Sequence, residues 1–200
     1  MQATVVILTK LPGHLPIKTR LHPLLGREGA ENFYRDSLAR TIRIAHAVCP
    51  EPILATSPVD IEPSKVLVGL PRCRMTPVVG DNGAVCLENA LALAPAGTPI
   101  VALGGDAPDL PAERLQQAVR LLDEHEVVFV PTPDGGFSCM ALRRAVPGLA
   151  DGFSYGGSDA LVSLEGWLGE RGLSTARLEP WPDVDTPEDY EAFRKRDAGA

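Results

Sequence analysis

Residues 99–111, Pro-Ile-Val-Ala-Leu-Gly-Gly-Asp-Ala-Pro-Asp-Leu-Pro, constrain this chain more than any other stretch. Ile100 to Leu103 is a short, unbroken apolar run, the pattern of a strand covered on both faces in the middle of a parallel sheet. Gly104 and Gly105 then allow a tight backbone turn. Asp106 follows at once, at the carboxyl end of the strand, where open α/β sheets hold their ligands. Asp109 adds a second carboxylate three residues later, in a turn stiffened by Pro108 and Pro111. A buried strand that delivers carboxylates into a rigid turn suits a hard divalent cation, which prefers oxygen ligands. The competing reading is that Asp106 only satisfies backbone N–H groups of the turn.

The rest of the chain repeats the alternation of strand and helix. Val5–Leu8, Ile53–Ala55, Val66–Leu70, Val127–Val130, Phe137–Leu142 and Leu173–Leu178 read as strands. Ala30–Val48, Val85–Ala94, Ala112–Glu124 and Asp159–Arg171 read as helices. Thr186-Pro-Glu-Asp189 is a helix start, with Thr186 at the cap, Pro187 at the first position and Asp189 at the third. Such alternation predicts an α/β sandwich with a mostly parallel sheet. At 200 residues, with no interdomain linker, the expectation is one domain spanning 1–200. The net charge of −7 argues against a dedicated nucleic-acid binder, and no apolar run approaches a membrane span. The first strand begins within a few residues of Met1 without a basic leader, so a cytoplasmic protein is expected. Cys49, Cys73, Cys86 and Cys139 lack paired spacing and read as reduced thiols rather than a zinc site. There is no Ser-His-Asp pattern, no Walker A sequence and no G-x-G-x-x-G, so hydrolase, P-loop and dinucleotide-binding readings lack support.

In a parallel sheet, features that each follow a strand converge on one edge. The first is Lys10–Arg27, which has no apolar periodicity and carries Lys10, Lys18 and Arg20 among prolines and glycines. It is either a phosphate-gripping loop or a solvated basic one. The second is Asp106. The third is Asp183-Val-Asp185: Thr186 is already the better cap, which frees Asp185 to complete a metal site with Asp106, phosphate oxygens and water. Left without a cation, two such carboxylates repel, and removing either is expected to be neutral or slightly stabilising. The alternative for Asp185 is a favourable interaction with the helix dipole. Asp134-Gly-Gly136 follows another strand. It reads as a hairpin turn and equally as a turn where Gly135 and Gly136 let the backbone approach a ligand while Asp134 hydrogen-bonds a hydroxyl. Phe153-Ser-Tyr-Gly-Gly-Ser-Asp159 either caps the next helix through Ser158 or lines the acceptor side through Tyr155.

Taken in order, Lys10-Leu-Pro-Gly13, Ile17-Lys-Thr-Arg-Leu21, Gly104-Gly-Asp-Ala-Pro-Asp-Leu-Pro111, Asp134-Gly-Gly136 and Asp183-Val-Asp-Thr-Pro-Glu-Asp189 resemble a glycosyltransferase-like family, from Val5 to about Phe193. That family is labelled radical-SAM/selenodomain-associated, or arsenosugar-biosynthesis, transferase. The resemblance implies a nucleotide-diphospho-sugar transferase fold of the GT-A type, a three-layer α/β sandwich. The same wider group includes molybdenum-cofactor guanylyltransferases, sugar-acid cytidylyltransferases and phospholactate guanylyltransferases. It implies that Asp106 and Asp185 hold Mg2+ or Mn2+, and that Lys18 and Arg20 grip the nucleotide phosphates. Lys10, Thr19, Asp109, Asp134, Gly135, Gly136 and Tyr155 would then contact substrate. This chain has Gly105-Asp-Ala-Pro108 where the family has Ser-Asp-Ser-Pro, and Tyr155 in a stretch that usually holds Trp. Those departures bear on the acceptor pocket and spare the metal aspartates. The expected activity is metal-dependent transfer from a nucleotide-sugar to a small-molecule acceptor. The alternatives are nucleotidyl transfer from a nucleoside triphosphate, which the Lys-Thr-Arg loop favours, and a non-catalytic nucleotide-sensing domain.

Overall fold

A computed structural model of the chain describes residues 3–199. Seven strands form one sheet: β1 (Thr4–Lys10), β2 (Ile53–Ser57), β3 (Arg74–Pro77), β4 (Ile100–Gly104), β5 (Val127–Pro131), β6 (Phe137–Leu142) and β7 (Thr175–Arg177). Their order is β3-β2-β1-β4-β6-β5-β7. All neighbours pair in parallel except β6, which lies antiparallel to both β4 and β5. The sheet is therefore mostly parallel, with one reversed strand where the hairpin β5–β6 folds back against β4.

The unbroken apolar runs have two destinations. Val5, Ile7, Val101 and Leu103 join a cluster with Leu38, Ile42, Leu115 and Val119. Val6, Ile100 and Ala102 join a second cluster with Leu87, Leu91, Leu161 and Leu164. Because side chains along a strand alternate between faces, each run covers both. Helices α1 (His22–Ala45) and α4 (Ala112–Leu121) lie on one face, α3 (Gly83–Leu91) and α5 (Ala160–Glu170) on the other. This is a three-layer α/β sandwich. The last helix, α6 (Pro187–Ala198), packs Tyr190 and Phe193 against Phe33 of α1, with ring centroids 5.0 and 5.7 Å apart.

Two sequence expectations change. Val66–Leu70 is not a strand; Val66 ends a single helical turn, α2 (Pro63–Val66), and the stretch after it buries Leu67 while Val68 stays exposed. The strand is instead Arg74–Pro77, an edge element that lends Met75 to the core and is otherwise too short and too exposed to carry an apolar signature. The helix expected from Ala30 begins at His22, with a break at Gly26 (φ 68°) that hides the first turn from periodicity. No helix among the described residues is long and apolar enough to cross a membrane. All four cysteines are unpaired; Cys49, Cys86 and Cys139 are buried.

Candidate functional site

The carboxyl ends of β1, β2 and β4 open onto a cleft, and two ends of the chain meet there. β4 stops at Gly104 and the turn presents Asp106. The amide of Val184 donates to the Asp106 carbonyl at 2.8 Å, which ties the segment before α6 to that turn. The α6 cap is complete without Asp185: the Thr186 hydroxyl accepts from the Asp189 amide, and the Asp189 carboxylate accepts from the amides of Asp185 and Thr186. Burial alone would raise Asp189, but these hydrogen bonds hold its carboxyl below the usual range. Asp185 is thus released to face Asp106.

Between them sits Lys18. Its Nζ lies 2.5 Å from Asp106 Oδ1, 2.6 Å from Asp185 Oδ1 and 2.6 Å from the Val184 carbonyl oxygen, to which it donates. Only 4% of the Lys18 side chain is exposed, against 44% and 41% for the two carboxylates. Burial opposes the lysine's charge, yet Asp106 and Asp185 outweigh it and hold the pKa above the ordinary value. The expectation that the two aspartates repel one another unshielded is therefore corrected: an ammonium bridges the pair and cancels one of its two charges.

The cleft has two lobes that share Asp106, Asp185 and Tyr155. The larger, about 490 Å³, is lined by Lys10, Lys18, Thr19 and Arg20 on one side and by Asn82 and Gly83 on the other. Arg20 is exposed, and neither it nor Lys10 has a carboxylate within 4.0 Å among the described residues. The smaller, about 160 Å³, is lined by Asp134, Gly136, Asp183, Phe137 and Phe153. Tyr155 stands between them. It is about half exposed, and its ring lies so close over Gly83 that a Cβ there would come within 2.5 Å of it.

Other expected residues lie differently. Asp109 is away from the cleft: its Oδ1 accepts from Trp181 Nε1 at 3.2 Å and its Oδ2 from Arg196 Nε at 2.7 Å. Both oxygens are used to dock α6 and the segment before it, so Asp109 is corrected to a structural residue. Gly135 (φ +91°) makes its close approach to the Ser158 carbonyl rather than to the cleft. Asp134 lines the smaller lobe while its Oδ1 accepts from the Thr132 hydroxyl at 2.5 Å and the Gly136 amide at 3.1 Å. The hairpin turn and a cleft-lining turn coincide in these residues.

Asp183 is the residue the sequence reading passed over. Burial, then the charges of Asp185 and Asp134, push its carboxyl up to about 6. Its signal was the Asp-x-Asp spacing, which in extended chain puts alternate side chains on one side. A raised folded-state pKa means that Asp183 favours the fold below about pH 4 and that this contribution is lost as pH rises through 6. Asp183→Asn is therefore expected to match wild type in thermal stability at pH 4 and exceed it at pH 8 by ~1–2 kcal/mol, allowing for screening at the open cleft. A pH-independent difference in melting temperature contradicts this.

The donor set fits a hard divalent ion. Among the described residues no three His, Cys, Asp or Glu side chains form a ready-made cage. Two carboxylate oxygens nevertheless converge on one cation at the mouth of a cleft, which suits an ion that takes its remaining ligands from phosphate and water.

No curated protein matches the chain in sequence. Solved structures match its fold. A candidate nucleotide-diphospho-sugar transferase from Desulfovibrio desulfuricans G20 superposes with TM-score 0.80 at 21% identity, covering 99% of this chain and 96% of that one. The CMP:2-keto-3-deoxy-manno-octonic acid synthetase complexed with CTP gives 0.62 at 19%, covering 100% and 99%. Rv0371c of Mycobacterium tuberculosis H37Rv, in complex with manganese, gives 0.58 at 16%, covering 98% and 99%. A family model matches residues 40–157, the stretch that holds Asp106, Asp134 and Tyr155 but neither Lys18 nor Asp185. With more than half of its length matched, the chain belongs to the family described as uncharacterized protein conserved in bacteria (DUF2064).

Proposed function

We propose that residues 1–200 form a single transferase domain that uses a nucleotide donor, with glycosyl transfer from a nucleotide-sugar to a small-molecule acceptor as the leading reaction. The observation that carries this reading is the charge layout of the cleft. Lys10, Lys18 and Arg20 line the larger lobe, carboxylates line the smaller, and Asp106 and Asp185 stand at their junction. A nucleoside diphosphate fits the first arrangement, because its phosphates find cations there. Arg20 and Lys10 bind and orient those phosphates, and Lys18 adds a third positive charge at the junction. Asp106 and Asp185 hold Mg2+ or Mn2+. That ion, when bound, supplies positive charge to the departing phosphate oxygens. Asp134 and Asp183 face the acceptor side, where a carboxylate accepts a hydrogen bond from an attacking hydroxyl. Tyr155 separates donor from acceptor.

The resemblance to the radical-SAM/selenodomain-associated transferases supports sugar transfer. A second reading, nucleotidyl transfer, draws support from the CTP complex of the synthetase with the same fold and from the Lys-Thr-Arg loop. Either reaction suits a cytoplasmic enzyme without a nucleic-acid partner.

A thermal-shift panel of nucleoside triphosphates and nucleotide-sugars, with and without Mg2+ or Mn2+, tests the proposal and separates the two reactions. Metal-dependent stabilisation by nucleotide-sugars supports glycosyl transfer, preference for a triphosphate favours nucleotidyl transfer, and no response to any nucleotide refutes both. Arg20→Ala is expected to weaken donor binding roughly 10–100-fold, the loss of one charge-assisted contact. Its stability should change by less than about 0.5 kcal/mol, because an exposed, unpaired cation contributes little to folding. Unfolding with intact donor affinity would assign Arg20 to the scaffold.

A further inference from the structure

Lys18 is committed to the cleft on three sides: its ammonium donates to Asp185 Oδ1 and to the Val184 carbonyl at 2.6 Å each and is ion-paired with Asp106 Oδ1 at 2.5 Å. A divalent ion bound by this aspartate pair needs the same carboxylates. Two cations held at one pair of oxygens lie within a few ångströms and repel strongly where one is buried. We infer that Lys18 and the divalent ion are alternative occupants of the Asp106–Asp185 pair. The ion gains both carboxylates only as the ammonium leaves, and donor phosphates are the anions that draw it away. Metal and nucleotide then enter as one complex, and neither aspartate offers a strong metal site by itself. The phosphate half of this exchange rests on the nucleotide-transferase reading; the competition between the two cations does not.

Two further observations point the same way. Lys18 is the one non-glycine residue at positive φ among the described residues, at φ 46° and ψ 41°. Such a backbone persists where its surroundings over-determine it, and here the three oxygens around Nζ do so. Its own loop supplies none of them: they come from residues 106, 184 and 185. Lys18 also lines the same lobe as Lys10 and Arg20, which have no carboxylate within 4.0 Å among the described residues. An entering polyphosphate therefore meets two unpaired cations before it competes for the third.

Mn2+ binding to metal-free protein, followed by the electron paramagnetic resonance of the free ion and without nucleotide, tests the exchange. Lys18→Met is expected to bind Mn2+ roughly tenfold or more tightly than wild type. Asp106→Asn added to Lys18→Met should remove that gain. A nucleoside diphosphate should tighten Mn2+ binding more in wild type than in Lys18→Met. Equal Mn2+ affinity in wild type and Lys18→Met overturns the exchange. A tenfold gain in Lys18→Met with no response of either protein to any nucleoside di- or triphosphate keeps the cation competition and overturns the nucleotide reading.

Should Lys18→Met fail to fold, wild type answers the question. Reductive methylation read by peptide mass spectrometry should label Lys18 slowly, since its side chain is 4% exposed, and Lys65 quickly, at 77%. Titration with Mg2+ should accelerate labelling of Lys18 severalfold and leave Lys65 unchanged. A Lys18 rate that ignores Mg2+ overturns the inference.

Discussion

Asp106→Asn is expected to lose transfer activity and stability together. The activity loss follows if Asp106 holds the ion, and should be at least on the order of 10²–10³-fold, the usual cost of removing one charge-stabilising group at a reacting centre. The stability loss follows from Lys18. Replacing the carboxylate leaves a nearly enclosed ammonium with one anionic partner instead of two. Breaking a fully buried pair costs about 3–5 kcal/mol, but these carboxylates are close to half exposed, so ~1–2 kcal/mol is the appropriate scale. For a chain of this length that lowers Tm by ~2–8 °C. The Lys18 pKa is raised by folding, so the contribution is fully present below the unfolded value of 10.5 and fades only as pH climbs through the folded one. The deficit should therefore be constant between pH 6 and 9. Asp185→Asn should behave alike. Full activity in either variant sinks the metal role, and a Tm equal to or above wild type sinks the Lys18 bridge.

The sign of that stability change separates what the sequence carried from what it did not. From the chain alone, two aspartates at one sheet edge repel, and deleting one relieves strain. The contact that reverses this runs to both aspartates from a lysine 167 positions before Asp185, in a loop with no periodicity. Nothing local marks Lys18 as buried; its burial follows from where the segment before α6 crosses the β4 turn. Asp109 fails for the complementary reason. It lies three residues from Asp106, but Trp181 and Arg196 claim both of its oxygens. Nearness in sequence across a proline-stiffened turn did not mean a shared direction.

The fold was more legible where burial acts on a whole element. Val5–Leu8, Ile100–Leu103 and Val127–Val130 are apolar without interruption because both faces of the sheet are covered, and each is a strand. The capping box of α6 was readable because its chemistry lies within four residues. Strand β3 was not, since an edge strand needs no apolar side chains. The antiparallel β6 was half readable. Asp134-Gly-Gly136 signals the hairpin with β5, but pairing with β4 is a tertiary matter, and that pairing puts the one reversed strand into the sheet.

That hairpin also carries the second large effect. Gly135→Ala is expected to destabilise the protein by ~3 kcal/mol, from two sources. At φ +91° an alanine adopts a backbone that L-residues avoid, at roughly 1–2 kcal/mol. A Cβ there would also lie 1.8 Å from the Ser158 carbonyl oxygen and 2.7 Å from its carbon. Those are backbone atoms and cannot rotate aside, so the hairpin tip or the start of α5 must shift, at about the cost of overpacking a core. Neither shifts freely, because the Leu161 amide donates to the Gly135 carbonyl at 3.0 Å and Leu161 and Leu164 are core residues. A loss of ~6–12 °C in Tm corresponds. Gly172→Ala is the matched control: φ is +70°, nothing lies within 4 Å of its Cβ and it lines neither lobe, so only the backbone cost of ~1 kcal/mol applies. Displacing the tip moves Asp134, the neighbouring residue, within the smaller lobe. Gly135→Ala should therefore impair use of the acceptor at temperatures where the protein is still folded, whereas Gly172→Ala should leave it unchanged. Equal melting temperatures for the two variants would show that the hairpin tip does not hold α5.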